Sequence, residues 1–338
     1  MLSFVIVAAL ALAGGFVRVP YIALGPGPTF DTLGAINGVD VVRIDGQQTF
    51  PTGGQLRMTT VSPNRDVTLF GALGLWVSGR YALAPREEYI RPGETEEQVE
   101  QQNVRMFQDS QSNAEVAALR QLGFPVKVLA GEITTGAPAD RVIEPGDRLL
   151  TVNGVNVAQQ EDVRGALRGT KPGQVIPITL QRGDQRLDVS VTLGRASDYG
   201  ADDREQGFMG LTPVDRADVP FKITIHLEDV GGPSAGLIFS LAIIDELTPG
   251  EMVGGQTVAG TGEIDSKGNV GPIGGISFKL VAASEAGANT FLVPAANCPE
   301  ARERTPENLR LIKVETLVGA MKALEDLKAN RPVPGCED

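Results

Sequence analysis

Residues 221–227, F-K-I-T-I-H-L, alternate strictly, with Phe221, Ile223, Ile225 and Leu227 on one side. A period of two predicts a strand with one buried face. G-Q-L-R-M-T-T-V (54–61) alternates in the same way, and 39–44 is also strand-like. Residues 94–122 hold neither Gly nor Pro and are rich in Gln and Glu. Their sparse apolar positions (Val99, Val104, Phe107, Val116, Leu119) predict a partly exposed helix pair. Residues 18–35 are rich in Pro and Gly and read as an extended lead-in. From Phe124 to residue 195, short strands surround one short helix, 160–167. A mostly apolar helix follows Ser234, and strand–helix pairs continue to Leu327. The pattern is that of an α/β (α+β) domain combined with a mostly-β one.

The first 17 residues carry no charged side chain, and Arg18 ends the run. A spanning helix needs about 20 apolar residues, with about 17 as the lower edge. The run reads as a retained transmembrane anchor, as a signal segment cleaved after Ala11-Leu12-Ala13, or as a buried helix. The first two readings take the chain to a membrane and out of the cytoplasm.

The net charge of −12 argues against nucleic acid, which needs a basic footprint. Two cysteines, Cys298 and Cys336, allow one disulfide in an oxidising compartment or two free thiols. With one histidine they cannot complete a four-ligand zinc site. No metal or cofactor is expected. No G-x-x-x-x-G-K-[ST] occurs, so these residues encode no P-loop ATPase.

Ser234 sits in G-G-P-S-A-G, between a strand and a helix. Gly232 to Gly236 fits the G-x-S-x-G pattern of α/β-hydrolases. That family needs a histidine after the serine, and the sole histidine, His226, precedes it. A helix start offers unpaired N–H groups to an oxyanion. It also suits a serine that merely caps the helix, so both readings of Ser234 stand. His226 shares the polar strand face with Lys222, Thr224 and Glu228 and reads as solvated.

Lysine is the other source of a base. Lys322 precedes Glu325 and Asp326 by three and four residues and reads as a paired surface lysine, and Lys267 lies in a turn. Lys279 shares a helical face with Ile276, Ala282, Ala283 and Ala286. Burial there would lower its pKa toward the ~7–8 that a base needs, from ~10.4. The alternative is a long stem that snorkels to water.

Two resemblances sharpen these readings. G-A-P-A followed by P-G-D-R-L-L-T-V-N-G-V resembles a PDZ domain over about 122–195. Such a module takes an extended peptide as an added strand, or serves as a spacer. The resemblance places its carboxylate-binding loop near Gly123 and Phe124. G-P-S-A-G, T-G-E-I-D-S-K-G-N-V-G-P-I-G-G-I-S-F-K-L-V-A-A and A-G-A-N-T-F-L-V-P resemble the proteolytic domain of Lon peptidases, over about 196–329. Strand 53–61 resembles the start of that domain, which would make the PDZ segment an insertion. Residues 1–17 then form the anchor or signal segment, 18–121 the lead-in, strands and helical region, and 330–338 a tail.

By position, the resemblance makes Ser234 the nucleophile, Lys279 the general base and Thr261 its support. Backbone N–H groups at Gly232, Pro233 and Ser234 would form the oxyanion site. The acid that many Lon proteases carry three residues before the serine is replaced by Gly231, and Asp229 is out of register. The expected protein is a membrane-anchored, ATP-independent endopeptidase outside a bacterial cytoplasm. It would cut peptides or unfolded segments, and the resemblance implies a hexameric ring. The rivals are a non-catalytic PDZ scaffold and a serine hydrolase based on His226.

Overall fold

The computed structural model describes residues 14–202, 204–228 and 230–337. They fall into two compact units. One takes the chain up to Ala118 and again from Phe221, and the other is Leu119–Pro220. The second unit is therefore an insertion within the first.

A mixed six-stranded sheet organises the first unit. Its order is Arg310–Val314, Thr290–Pro294, Thr257–Gly260, Gln55–Asn64, Tyr21–Asp31 and Ala82–Pro85. The first four strands run parallel, and the last two pair antiparallel. Thr290–Pro294 (T-F-L-V-P) is buried at every residue, as befits a parallel strand covered on both faces. The expected lead-in is instead an eleven-residue strand of this sheet, Tyr21–Asp31. Its pairing with Gln55–Asn64 slips by one residue between Pro26 and Thr29. That bulge leaves Pro28 outside the ladder it could not donate to.

Helix Gly236–Leu247 is buried from Gly236 to Asp245, which explains its nearly unbroken apolar sequence. The expected helix pair is one 26-residue helix, Glu96–Gln121. Val104 and Met106 in its first half are exposed, while Ala114 and Val116–Leu119 are buried. Cys298 and Cys336 form a disulfide with Cα atoms 5.1 Å apart. Both pack in a cluster with Phe291 and Val293, so the C-terminal tail is stapled to the core.

The second unit is a sheet of order Gln185–Thr192, Val175–Arg182, Arg148–Val152, Val126–Ile133, Leu211–Ala217. Its core holds Val128, Leu149, Val152, Ile176, Ile178 and Leu180. Strand Leu211–Ala217 lies beyond the expected boundary at residue 195, yet it pairs with Val126–Ile133 and belongs here. The segment between 195 and Leu211 is thus a connection inside this unit.

Among the described residues no helix is long and apolar enough to cross a membrane. Most of the expected anchor, residues 1–13, lies outside them.

Candidate active site

Ser234 is delivered by a turn that the long helix holds in place. Gly232 has φ of +85°, a region open to glycine, and its N–H donates to the Asn103 carbonyl at 2.9 Å. Ser110 Oγ donates to the Pro233 carbonyl at 2.8 Å. A Cβ at Gly231 would lie 2.9 Å from Asn103 Cβ. The position that holds an acid in many Lon proteases therefore has no room for a side chain here. Asp229, the other acid near Ser234 in sequence, lies outside the described residues.

Ser234 does not cap the following helix. That helix starts at Gly236, its N-cap is Ala235, and no side chain caps its N-terminus. The Ser234 hydroxyl is thus left available to Lys279. Lys279 sits on helix Ile276–Glu285, whose N-cap Gly275 has φ of +69°. It is only 2 % exposed, and its Nζ lies 2.6 Å from Ser234 Oγ and 2.8 Å from Thr261 Oγ1. The stem does not snorkel. Burial pushes the ammonium down to about 7, with the nearby Glu263 carboxylate acting in the other direction.

Thr261 orients the pair. Its hydroxyl donates to the Ser234 carbonyl at 2.9 Å, so its lone pairs face the lysine. The Gly262 N–H donates to the same carbonyl at 2.8 Å. A protonated Lys279 can donate to both hydroxyls. A neutral one can donate to Thr261 and accept the Ser234 proton, which is the geometry of a serine activated by an amine.

The expected oxyanion donors need correction. Pro233 has no N–H. That of Gly232 is committed to Asn103. The N–H groups of Ser234 and Ala235 have no hydrogen-bond partner among the described residues. They replace Gly232 and Pro233 as candidate donors.

A cleft of about 370 Å³ opens onto these groups, lined by Pro28, Met58–Pro63, Gly231–Ala235, Glu263 and Lys279. Glu263, which sequence reasoning left without a role, is half-buried there. Burial raises its carboxyl above the ordinary range, and Lys279 pulls it back. Its place in T-G-E, two residues after Thr261, was the available signal. His226 is not in the cleft. It is exposed, with Nδ1 3.1 Å from the Asp40 carbonyl. Among the described residues no cluster of acidic, His or Cys side chains could hold a metal.

In the inserted unit, Gly123 and Phe124 end the long helix. Their N–H groups donate to the Arg120 and Leu119 carbonyls, and Gly123 has φ of +80°. A groove lies beside the edge strand Leu211–Ala217 and helix Gln160–Ala166. Its about 460 Å³ is lined by Val163, Leu167 and the Gly207–Pro213 segment, with Arg164, Arg168 and Arg204 around it. The loop before that edge strand, Gly207-Phe208-Met209-Gly210, lines the cleft, and Gly123 and Phe124 do not.

Residues 220–326 match the family model of the Lon protease (S16) C-terminal proteolytic domain, and 103–193 that of the PDZ domain. A Lon protease of Methylocella silvestris is 34% identical over 158 residues, which cover 46% of this chain and 18% of that protein. One from Phenylobacterium zucineum is 32% identical over 185 residues, 49% of this chain and 23% of that protein. The chain thus spans about a fifth of the length of these curated relatives. The PDZ domain of an SdrC-like protein from Listeria monocytogenes matches 27% of this chain and 87% of its own, at 20% identity and a TM-score of 0.22. The chain carries a Lon-type proteolytic domain, which is a serine-type peptidase domain, with a PDZ domain set into it.

Proposed function

We propose that the chain is an endopeptidase that works without ATP, with Ser234 as nucleophile and Lys279 as general base. The observation that carries this reading is the buried amine of Lys279, 2.6 Å from Ser234 Oγ and with its pKa pushed down to about 7. Neutral Lys279 takes the Ser234 proton as Oγ attacks the peptide carbonyl. Ser234 and Ala235 N–H groups receive the oxyanion. The new lysinium protonates the leaving amine, the C–N bond breaks and an acyl-enzyme remains. Water then gives a proton to Lys279 as it attacks the ester, and Lys279 passes that proton to Ser234 Oγ as the acid product leaves.

On this reading the substrates are peptides, flexible tails or unfolded segments. The free edge of Leu211–Ala217 suits an added peptide strand, and the three arginines around the groove suit a peptide carboxylate. The uncharged run before Arg18 supports a membrane tether, with the peptidase outside the cytoplasm, where the disulfide is at home.

The test is cleavage of an unfolded protein without ATP by the intact chain, beside Ser234→Ala and Lys279→Ala. Cleavage by wild type and by neither variant supports the dyad. Cleavage that survives Lys279→Ala but not His226→Ala would overturn it. A folded chain that neither cleaves nor reacts at Ser234 with a serine-directed probe would instead favour the scaffold.

A further inference from the structure

Helix Leu69–Val77, L-F-G-A-L-G-L-W-V, holds no charged side chain and no polar one. One side of it is well packed. Ala72 is buried and Leu75 partly so, in a cluster with Ala23 and Val67. The other side carries Leu69, Phe70, Leu73, Trp76 and Val77, spaced i, i+1, i+4, i+7 and i+8, which is one face of a helix. All five are between 49% and 71% exposed. Adjacent large apolar side chains left open on a single face mark a docking surface.

The residues packed against this helix, and the uncharged sequence they end, point to what covers it. The uncharged run 1–17 ends against this helix. A Cβ at Gly14 would meet the Phe70 ring at 2.6 Å, and the Leu69 N–H donates to the Val17 carbonyl at 3.0 Å. Phe16 and Val17 are themselves 80% and 54% exposed. The exposed Arg18–Asp66 ion pair, at 3.0 Å, marks where charge first appears.

We propose that the exposed face of Leu69–Val77 lies in the interfacial layer of the lipid bilayer that residues 1–17 enter, a second and peripheral contact beside the tether. The proposal rests on the tether proposed above. The helix already satisfies its backbone hydrogen bonds internally, so only apolar side chains would enter lipid. Trp76, near its C-terminal end, is the residue type that favours the headgroup level. The contact needs no basic residues, and the face has none. It should therefore form on zwitterionic lipid.

Trp76 is the only tryptophan of the chain, so its emission reports on this helix alone. The experiment reconstitutes the intact chain with phosphatidylcholine vesicles, with and without bromine on the acyl chains. The expected result is co-flotation, a shift of Trp76 emission to shorter wavelength, and loss of emission in brominated vesicles. The double variant Leu69→Glu, Leu73→Glu should still float but lose the quenching. A chain that floats while Trp76 stays unquenched would overturn the contact and leave the tether standing; residues 1–13 or a second copy would then cover the face. Quenching that survives the double variant also overturns it, since proximity to the tether would suffice. A chain that does not float overturns tether and contact together.

Discussion

The carboxylate of Glu263 holds the pKa of Lys279 up against the burial that drives it down. The two effects have opposite signs, so removing one is diagnostic. Glu263→Gln should let the lysine pKa fall below about 7. The acidic limb of the kcat/KM profile should move to lower pH, with the plateau above it little changed. A limb that moves to higher pH would contradict this arrangement.

The wild-type profile should itself rise through about 7, as Lys279 loses its proton. Lys279→Arg should be as inactive as Lys279→Ala, because a guanidinium stays protonated. The loss should be at least about 10²–10⁴-fold, the range of general acid–base catalysis. Stability gives an independent reading. The folded pKa lies below the ordinary 10.5, so the unfolded chain binds more protons between about 7 and 10.5. Lys279 should therefore make stability climb with pH across that window, and Lys279→Met should flatten the climb.

Thr261 acts through Lys279 and the Ser234 carbonyl, not on substrate. Thr261→Val removes the acceptor for the amine and a donor to the carbonyl at similar volume. A misplaced amine should lower kcat by about 10- to 100-fold with KM nearly unchanged. Thr261→Ser, which keeps the hydroxyl, should recover most of the loss. Equal losses in kcat and KM for both variants would point to general disruption.

Glu246 makes a prediction about stability away from the cleft. Burial, with Asp40 and Asp245 nearby, raises its carboxyl from 4.5 to about 7. The folded state then holds the extra proton between those values, and stability falls as pH rises through them. Glu246→Gln should raise Tm at pH 8 more than at pH 5. Equal shifts at both would show that the carboxyl is not strained.

The disulfide closes a loop of 38 residues. Chain entropy assigns such a loop about 4 kcal/mol in the unfolded state. Reduction, or Cys298→Ala with Cys336→Ala, should lower Tm by several degrees. An unchanged melt would mean that core packing alone holds the tail, which is otherwise tied by the Lys313 N–H to the Pro334 carbonyl at 3.0 Å.

How much was legible depended on whether local chemistry or tertiary pairing set each element. Ser234, Lys279 and Thr261 lie in segments whose glycines and apolar runs are distinctive by themselves, and their meeting followed from the resemblance. Pro233 could have been struck as an oxyanion donor from the sequence, but only the fold shows the Gly232 N–H spent on Asn103. Tyr21–Asp31 was hidden by Gly25, Pro26, Gly27 and Pro28, residues that deny a strand until a bulge and a neighbour accommodate them. Leu69–Val77 has no polar residue, so it shows no period to read. Residues 119–220 hold two Gly-Phe pairs, at 123–124 and 207–208. Only the pairing of Leu211–Ala217 with Val126–Ile133 shows that the second leads into an edge strand beside a cleft.

Strand Gln55–Asn64 pairs with Thr257–Gly260 across some 200 positions of sequence, with an entire unit in between. Contacts so distant in sequence form late, after the loop between them has closed. Ser234 and Lys279 meet only around that pairing, since Thr261 directly follows Thr257–Gly260. A nascent chain that has emerged only as far as the inserted unit holds neither Ser234 nor Lys279. On the proposed mechanism, the order of synthesis acts as a built-in delay that keeps the growing polypeptide clear of its own unfinished site.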